Sequence, residues 1–325
     1  MVYAFDPELA PWTSMIPTLD FADLASIRDM LRNMSSMNRD GGPTAPRYEP
    51  PTPVAVRDTT APGPRGAPDV PVRIYRPEES DAPLPGLLYI HGGGFVMGNL
   101  ELVDHEVKRI ASEVGVVVVC VDYRLAPENP FPAPPEDCYA ALTWTAEHAE
   151  ELGIDPERLA VGGESAGAGL AAAVTLLARD RGGPTLCFQY LAVPELDDRL
   201  GTPSMRDYHD TPIWHRSAAE FSWDSYLGPG VRGTDGVSAY AAPARAEDLS
   251  DLPPAFVSVC QFDPLRDEGI AYAQRLAQAN IPTELVLYPG TFHGTAIVQQ
   301  AAITRRIVAD QIAALHRALH AGAQQ

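Results

Sequence analysis

Apolar residues along the chain follow two periods, and their order predicts the architecture. Phe21, Leu24, Ile27, Met30, Leu31 and Met34 recur at spacings of three and four, which places them on one helical face. Asp20 is the expected N-cap, and Gly41-Gly42-Pro43 punctuates the end of the segment. From about residue 53 the period becomes two. Val54 and Val56 alternate with other residues, as do Val70, Val72 and Ile74, and a Pro/Gly-rich turn lies between the runs, so an antiparallel pair at a sheet edge is expected. Short continuous apolar runs follow at Leu87–Ile90, Val116–Val121, Leu159–Val161, Phe188–Val193, Phe256–Val259 and Leu285–Leu287. Helical segments are predicted near 102–114, 136–151, 166–180, 266–279 and 298–320.

A strand that is apolar on both faces must be covered on both faces. The pattern therefore predicts an α/β protein with a mostly parallel central sheet of about eight strands flanked by helices. Such sheets bind ligands beyond the carboxyl ends of their strands, so residues just after each strand are the ones to search for chemistry. Residues 195–250 break the rhythm. They are irregular and polar, and they hold Tyr208, Trp214, His215, Phe221, Trp223 and Tyr226. A connection this long between strands reads as a functional insertion. The expected division is N-terminal cap helices over 1–45, an α/β core over 46–194 and 251–325, and a cap insertion over 195–250.

Composition narrows the function classes. With 43 acidic and 24 basic side chains the formal net charge is −19, which disfavours binding to nucleic acid or an anionic membrane surface. Cys120, Cys138, Cys187 and Cys260 show no metal-ligand spacing and read as free thiols, buried in apolar runs at Cys120 and Cys260. The N-terminus lacks the basic and apolar regions of a leader, and no apolar run is long enough to span a membrane. The expectation is a soluble, cytoplasmic protein.

Gly163-Glu164-Ser165-Ala166-Gly167 fits G-x-S-x-G, follows an apolar run and opens an Ala/Leu-rich helix. Small residues permit a sharp strand-to-helix turn that lifts the Ser165 hydroxyl out of the sheet. The Ala166 N–H then lies at a helix N-terminus, where negative charge is favoured. His91-Gly92-Gly93-Gly94 directly follows the run ending at Ile90. Three glycines let backbone N–H groups approach a developing oxyanion. A phosphate loop is the competing reading, but the Gly-Lys-Ser/Thr ending of such loops is absent.

A base must be chosen among eight histidines. His105, His148, His316 and His320 lie in helical patterns, His91 reads as structural, and His209 and His215 lie in the insertion within reach of a substrate. His293 follows the last strand and is the best base by position. Asp263, first after the run at 256–262, is the expected orienting acid, although before Pro264 it also reads as a helix cap. The order Ser165, Asp263, His293 is that of nucleophile, acid and base in α/β-hydrolases.

On these motifs, together with Asp122-Tyr123-Arg124-Leu125-Ala126-Pro127-Glu128 and Phe292-His293-Gly294, the sequence resembles the hormone-sensitive-lipase-like branch of the α/β-hydrolase fold, the bacterial family IV carboxylesterases. The resemblance runs from about residue 70 to 315. It implies that backbone N–H groups of Gly93, Gly94 and Ala166, with Gly92 beside them, form the oxyanion hole. It also implies a cap built from residues 1–45 and 195–250, and a homodimer formed near 283–288. Two departures stand out: Glu164 precedes the nucleophile where Asp is commoner, and Ala168 replaces a frequent Gly. The stretch from Asp122 to Glu128 is expected to hold the oxyanion loop in place.

The implied activity is hydrolysis of short- to medium-chain acyl esters of small molecules through an acyl-enzyme, with no metal or organic cofactor. Trp214, Phe221, Trp223 and Tyr226 are candidates for lining the substrate pocket, or alternatively for packing within the cap. The same triad also serves amide, lactone or carbamate hydrolysis. A non-catalytic ligand-binding protein of this fold is the reading from another class, and the presence of His293 argues against it.

Overall fold

Strands rich in Val, Leu and Ile form where both faces can be buried, and from the third strand onward this chain supplies that cover with helices between successive strands. The computed structural model describes residues 3–16, 19, 21–39, 48–78, 80 and 82–321. Asp20 and Gly41-Gly42-Pro43 lie outside the described residues, as does the side chain of Met34.

The N-terminal part carries α1 (Ala10–Thr13), a 3-10 turn at Phe21–Asp23 and α2 (Leu24–Arg39). Strands β1 (Val54–Ala61), β2 (Val70–Pro77) and β3 (Leu84–Ile90) follow, then α3 (Leu100–Arg109) and β4 (Val117–Val121). The middle of the chain forms α4 (Ala133–Glu147), α5 (Ala149–Leu152), β5 (Ile154–Glu164), α6 (Ala166–Asp180) and β6 (Phe188–Ala192). The rest comprises α7 (Pro203–Asp207), α8 (Arg216–Leu227), β7 (Ala255–Phe262), α9 (Arg266–Gln278), β8 (Thr283–Phe292) and α10 (Ala302–His320).

The eight strands make one sheet in the order β1-β2-β4-β3-β5-β6-β7-β8. β2 runs antiparallel to both of its neighbours, β1 and β4, and every other neighbouring pair is parallel. Side chains alternate across the sheet. Leu88 and Ile90 of β3 face the core shared with α4, α6 and α9, which includes Leu142, Leu170, Val174 and Tyr272. Leu87 and Tyr89 face the opposite core, with Val107 and Ile110 on one side and Leu315 and Leu319 of α10 on the other. α6 is buried from Ala166 through Ala178, which explains its Ala-rich composition: small side chains let it lie close to the sheet.

Several boundaries differ from those expected. The helix near 102–114 is α3 followed by a π-helical turn at Ile110–Gly115, and the Asn99 side chain caps its start by accepting from the Leu102 N–H at 2.9 Å. The helix near 136–151 is two helices, α4 and α5. The last strand extends through Phe292, well past Leu287; Pro289 and Gly290 interrupt its apolar pattern, and an edge strand tolerates both. The last helix starts at Ala302, after a 3-10 turn at Thr295–Ile297. Val56 is exposed because β1 is the opposite sheet edge.

The N-terminal segment and the insertion meet each other. Phe21 lies edge-on to Trp214 with ring centres 5.8 Å apart, and 5.5 Å from the Phe221 ring. Among the described residues, no helix is long and apolar enough to cross a membrane.

Candidate active site

The turn from β5 to α6 places Ser165 at φ 57° and ψ −123°, an uncommon conformation for a residue with a side chain. Its geometry requires glycine on both sides. A Cβ on Gly163 would lie 2.3 Å from the Ile90 carbonyl oxygen, and one on Gly167 would lie 2.1 Å from the same atom. The Ser165 N–H donates to the Ala192 carbonyl at 2.8 Å, which ties the turn to the end of β6.

His293 follows β8, and Asp263 follows β7. They reach Ser165 because β6, β7 and β8 continue the sheet beside β5 in parallel, with their carboxyl ends on the same side. His293 Nδ1 lies 2.7 Å from Asp263 Oδ2, and Nε2 lies 2.9 Å from Ser165 Oγ. The other Asp263 oxygen, Oδ1, accepts the Leu265 N–H at 2.9 Å. One carboxylate therefore steadies the start of the α9 segment and binds the imidazole at once. With Asp263 accepting at Nδ1, the proton sits on Nδ1, and Nε2 is left to accept from the serine hydroxyl. Burial by itself would push the His293 pKa down. The charge of the Asp263 carboxylate and its hydrogen bond outweigh burial and hold the imidazole above its ordinary 6.5.

The His91–Gly94 loop runs beside the turn. A Cβ on Gly92 would lie 2.9 Å from the Glu164 carbonyl oxygen and 3.3 Å from Ser165 Cβ. Gly93 and Gly94 adopt φ 122° and 56°, and a Cβ on Gly94 would strike Trp214 Cη2 at 2.4 Å. Only glycine meets both demands. His91 is fully buried; its Nδ1 lies 2.8 Å from the Gly92 carbonyl oxygen and its ring stacks on Tyr123 at 4.4 Å. Burial lowers its pKa to about 4, so it stays neutral and structural.

The stretch from Asp122 to Glu128 contacts this loop directly. Tyr123 OH donates to the His91 carbonyl at 3.1 Å, and the Ala126 N–H donates to the Phe95 carbonyl at 2.9 Å. Arg28 of α2 completes the brace. Its Nε donates to the Val96 carbonyl at 2.7 Å, its Nη2 to the Ala126 carbonyl at 2.8 Å, and its Nη1 pairs with Glu128 at 2.7 Å.

The four aromatic candidates separate into two groups. Trp214 lies against Gly94, and its ring centre is 5.9 Å from that of His293, so it borders the site. Phe221 packs on Phe21, farther out. Trp223 and Tyr226 are fully buried against Phe95, with Tyr226 stacked at 4.1 Å, so they pack behind the His91–Gly94 loop. For these two the observed burial fits the alternative of packing within the cap: α8 turns them inward, where its buried face supplies core. Among the other histidines, His148 contacts the Trp144 carbonyl and His320 the Val114 carbonyl. His215 caps α8 by accepting from the Ala218 N–H.

Three residues beside the site were not singled out by the sequence patterns. They are Arg28, Ser222 and Glu195. Glu195 had one available clue, its position three residues past the end of β6. Ser222 and Glu195 lie fully buried in contact with each other, 3.0 Å apart, and Ser222 also touches Gly94. Among the described residues, no three His, Cys, Asp or Glu side chains converge in a way that would hold a metal ion.

This arrangement, a hydroxyl on an imidazole on a carboxylate beside a glycine loop, is suited to acyl transfer. Residues 87–297 match the family model of the alpha/beta hydrolase fold. The chain is 43% identical over 261 residues to carboxylesterase NlhH of Mycobacterium tuberculosis, covering 79% of this chain and 81% of that protein. It is 39% identical over 299 residues to esterase LipI of the same organism, covering 90% and 88%. Among solved structures, a bacterial heroin esterase superimposes with a TM-score of 0.92 at 48% identity, over 97% of this chain and 98% of that one.

Proposed function

The chain belongs to the α/β-hydrolase family, in its hormone-sensitive-lipase-like branch, and from that premise we propose a carboxylesterase whose chemistry runs through Ser165, His293 and Asp263. The observation that carries the assignment of residues is the imidazole of His293 bridging Asp263 at 2.7 Å and Ser165 at 2.9 Å.

Ser165 Oγ attacks the ester carbonyl carbon while His293 Nε2 takes the hydroxyl proton. The oxyanion is met by backbone N–H groups of Gly93, Gly94 and Ala166, with Gly92 beside them; each such donor is worth roughly 3–4 kcal/mol of barrier. His293 passes its proton to the leaving alkoxide oxygen as the C–O bond breaks, leaving an acyl-Ser165. A water molecule then attacks the acyl carbon and gives its proton to Nε2. That proton returns to Ser165 Oγ as the carboxylic acid leaves. Asp263 keeps the imidazole in the required tautomer and offsets its positive charge in both halves of the cycle.

The substrates are small esters with short to medium acyl chains. Support comes from Trp214, whose ring packs against Gly94 with its centre 5.9 Å from that of His293 and so borders the reacting atoms. The segments 1–45 and 195–250 serve as the cap over the core of 46–194 and 251–325; the Phe21–Trp214 and Phe21–Phe221 contacts support this division. The net charge of −19 fits a cytoplasmic protein that binds neither nucleic acid nor membrane. A homodimer through the exposed edge strand β8 is part of the same reading, supported by the exposure of Leu285 and Leu287.

The test is hydrolysis of p-nitrophenyl acetate, butyrate, octanoate and palmitate by the wild-type chain and by Ser165→Ala. The short and medium esters are expected to turn over best, and the variant is expected to lose turnover while unfolding at the wild-type temperature. Turnover retained by Ser165→Ala would overturn the residue assignment. A maximum at palmitate would overturn the substrate class.

A further inference from the structure

We propose that Glu195, as a neutral carboxylic acid, and Ser222 form a relay that holds the Gly94 carbonyl and so positions the oxyanion loop; the proposal rests on the esterase reading above. Ser222 Oγ lies 2.9 Å from the Gly94 carbonyl oxygen and 3.0 Å from Glu195 Oε1. All of the side chains in this chain of contacts are fully buried.

The hydrogen count decides the protonation state. A serine hydroxyl has one hydrogen, and the Gly94 carbonyl has none to give. If Glu195 were ionised, Ser222 could serve only one of its two oxygen neighbours. The other would be a contact between two acceptors with nothing between them. If Glu195 carries a proton, its O–H donates to Ser222 Oγ, and Ser222 donates to Gly94. Both contacts are then hydrogen bonds. Oε2, the second carboxyl oxygen, is buried without a hydrogen-bond partner among the described residues, which costs far more for a carboxylate than for an acid.

The surroundings agree. Glu195 is faced by Ser222 and Tyr226 of α8, by His293 after β8, by Asp263 after β7, by Glu268 of α9 and by Tyr123 after β4. None of these is a lysine or an arginine. Burial pushes the Glu195 pKa up to about 8, against smaller opposing effects of Ser222 and His293.

The position of Glu195 gives the relay its reach. Its own N–H donates to the carbonyl of Ser165 at 3.2 Å, so a single residue is tied to the nucleophile's backbone and, through Ser222, to the loop opposite. Gly94 sits at φ 56°, a conformation that glycine leaves easily, and a fixed carbonyl is what keeps it there. Ionisation of Glu195 would draw the Ser222 hydroxyl away from Gly94 and place a negative charge behind the developing oxyanion. Both effects raise the barrier. Glu195 and Ser222 are therefore positioning residues that act through Gly94.

The experiment measures kcat and KM for p-nitrophenyl butyrate from pH 6 to 10 with the full-length wild-type chain, Glu195→Gln, Glu195→Ala and Ser222→Ala. Wild type should lose rate above about pH 8. Glu195→Gln keeps an N–H donor toward Ser222, so it should retain most of the neutral-pH rate and lack the alkaline fall. Glu195→Ala and Ser222→Ala should lower kcat about tenfold, with KM within about twofold, because loop position matters most in the transition state. An alkaline fall that persists in Glu195→Gln would overturn the relay, as would an unchanged kcat in Ser222→Ala. If Glu195→Ala fails to fold, the Gln and Ser222 variants still decide. Absence of turnover in wild type would count instead against the esterase reading itself.

Discussion

Gly167 sits against the Ile90 carbonyl with no room for a methyl group: a Cβ there would be 2.1 Å from that oxygen and 2.5 Å from the carbonyl oxygen of His91. The helix that follows Ser165 and the root of the His91–Gly94 loop thus touch backbone to backbone, and the distance between Ser165 and the loop is set by the absence of one side chain. Gly167→Ala should separate them. We predict a loss of about 1–3 kcal/mol of stability from overpacking, and a fall in kcat larger than the change in KM. Thermal unfolding together with steady-state kinetics checks both.

The acid side of the pH profile should report His293. As the base it must be neutral, and its pKa is held above 6.5. Activity should therefore rise with pH, and the acid limb of kcat/KM should lie above the usual imidazole value. Asp263→Asn removes the main group that raises this pKa. The limb should move to lower pH while kcat falls by roughly 10⁴ through loss of the correct tautomer. An acid limb that stays put in Asp263→Asn would contradict the pairing.

Arg28 spends its guanidinium on two backbone carbonyls, of Val96 and Ala126, and on Glu128. Arg28→Ala should cost about 1–3 kcal/mol by leaving these partly buried acceptors unpaired, and should lower kcat by loosening the oxyanion loop. Arg28→Lys keeps the charge and loses the fork, so it should behave more like the Ala variant than like wild type. Chemical denaturation and kcat measured on the same preparations test this.

Trp214 borders Gly94 and His293 with its ring. Trp214→Ala should open space beside the reacting carbon. The ratio of kcat/KM for p-nitrophenyl octanoate to that for the acetate is predicted to rise about tenfold, within the range that a few methylenes command. Trp223→Phe, deep behind Phe95, should leave that ratio unaltered and act on stability alone.

The sheet and the three residues proposed for the chemistry were legible in the sequence because they obey simple rules. The strands from β3 to β7 contain apolar runs, β1 and β2 show period-two alternation, and Ser165, Asp263 and His293 each follow a strand end. What the sequence hid depends on three-dimensional packing. Trp214 and Trp223 look alike in sequence, yet one borders the site and the other is core, because α8 begins after Trp214 and turns Trp223 inward. Glu195 and Ser222 are 27 residues apart and belong to no motif, and only the folding of the insertion back over the loop brings them together. Arg28 reaches across from α2 to a loop 68 residues away, a distance over which local periodicity says nothing. The length of β8 was hidden by Pro289 and Gly290, which end the apolar run and sit within an edge strand.

The central claim is that Ser165 is a nucleophile activated by His293. The most direct measurement is the intact mass and peptide map of the chain after exposure to a fluorophosphonate. A single adduct is expected on the peptide that contains Ser165, with ester hydrolysis lost in proportion to labelling and no adduct on the folded Ser165→Ala variant. Labelling at another residue, or equal labelling of that variant, would contradict it.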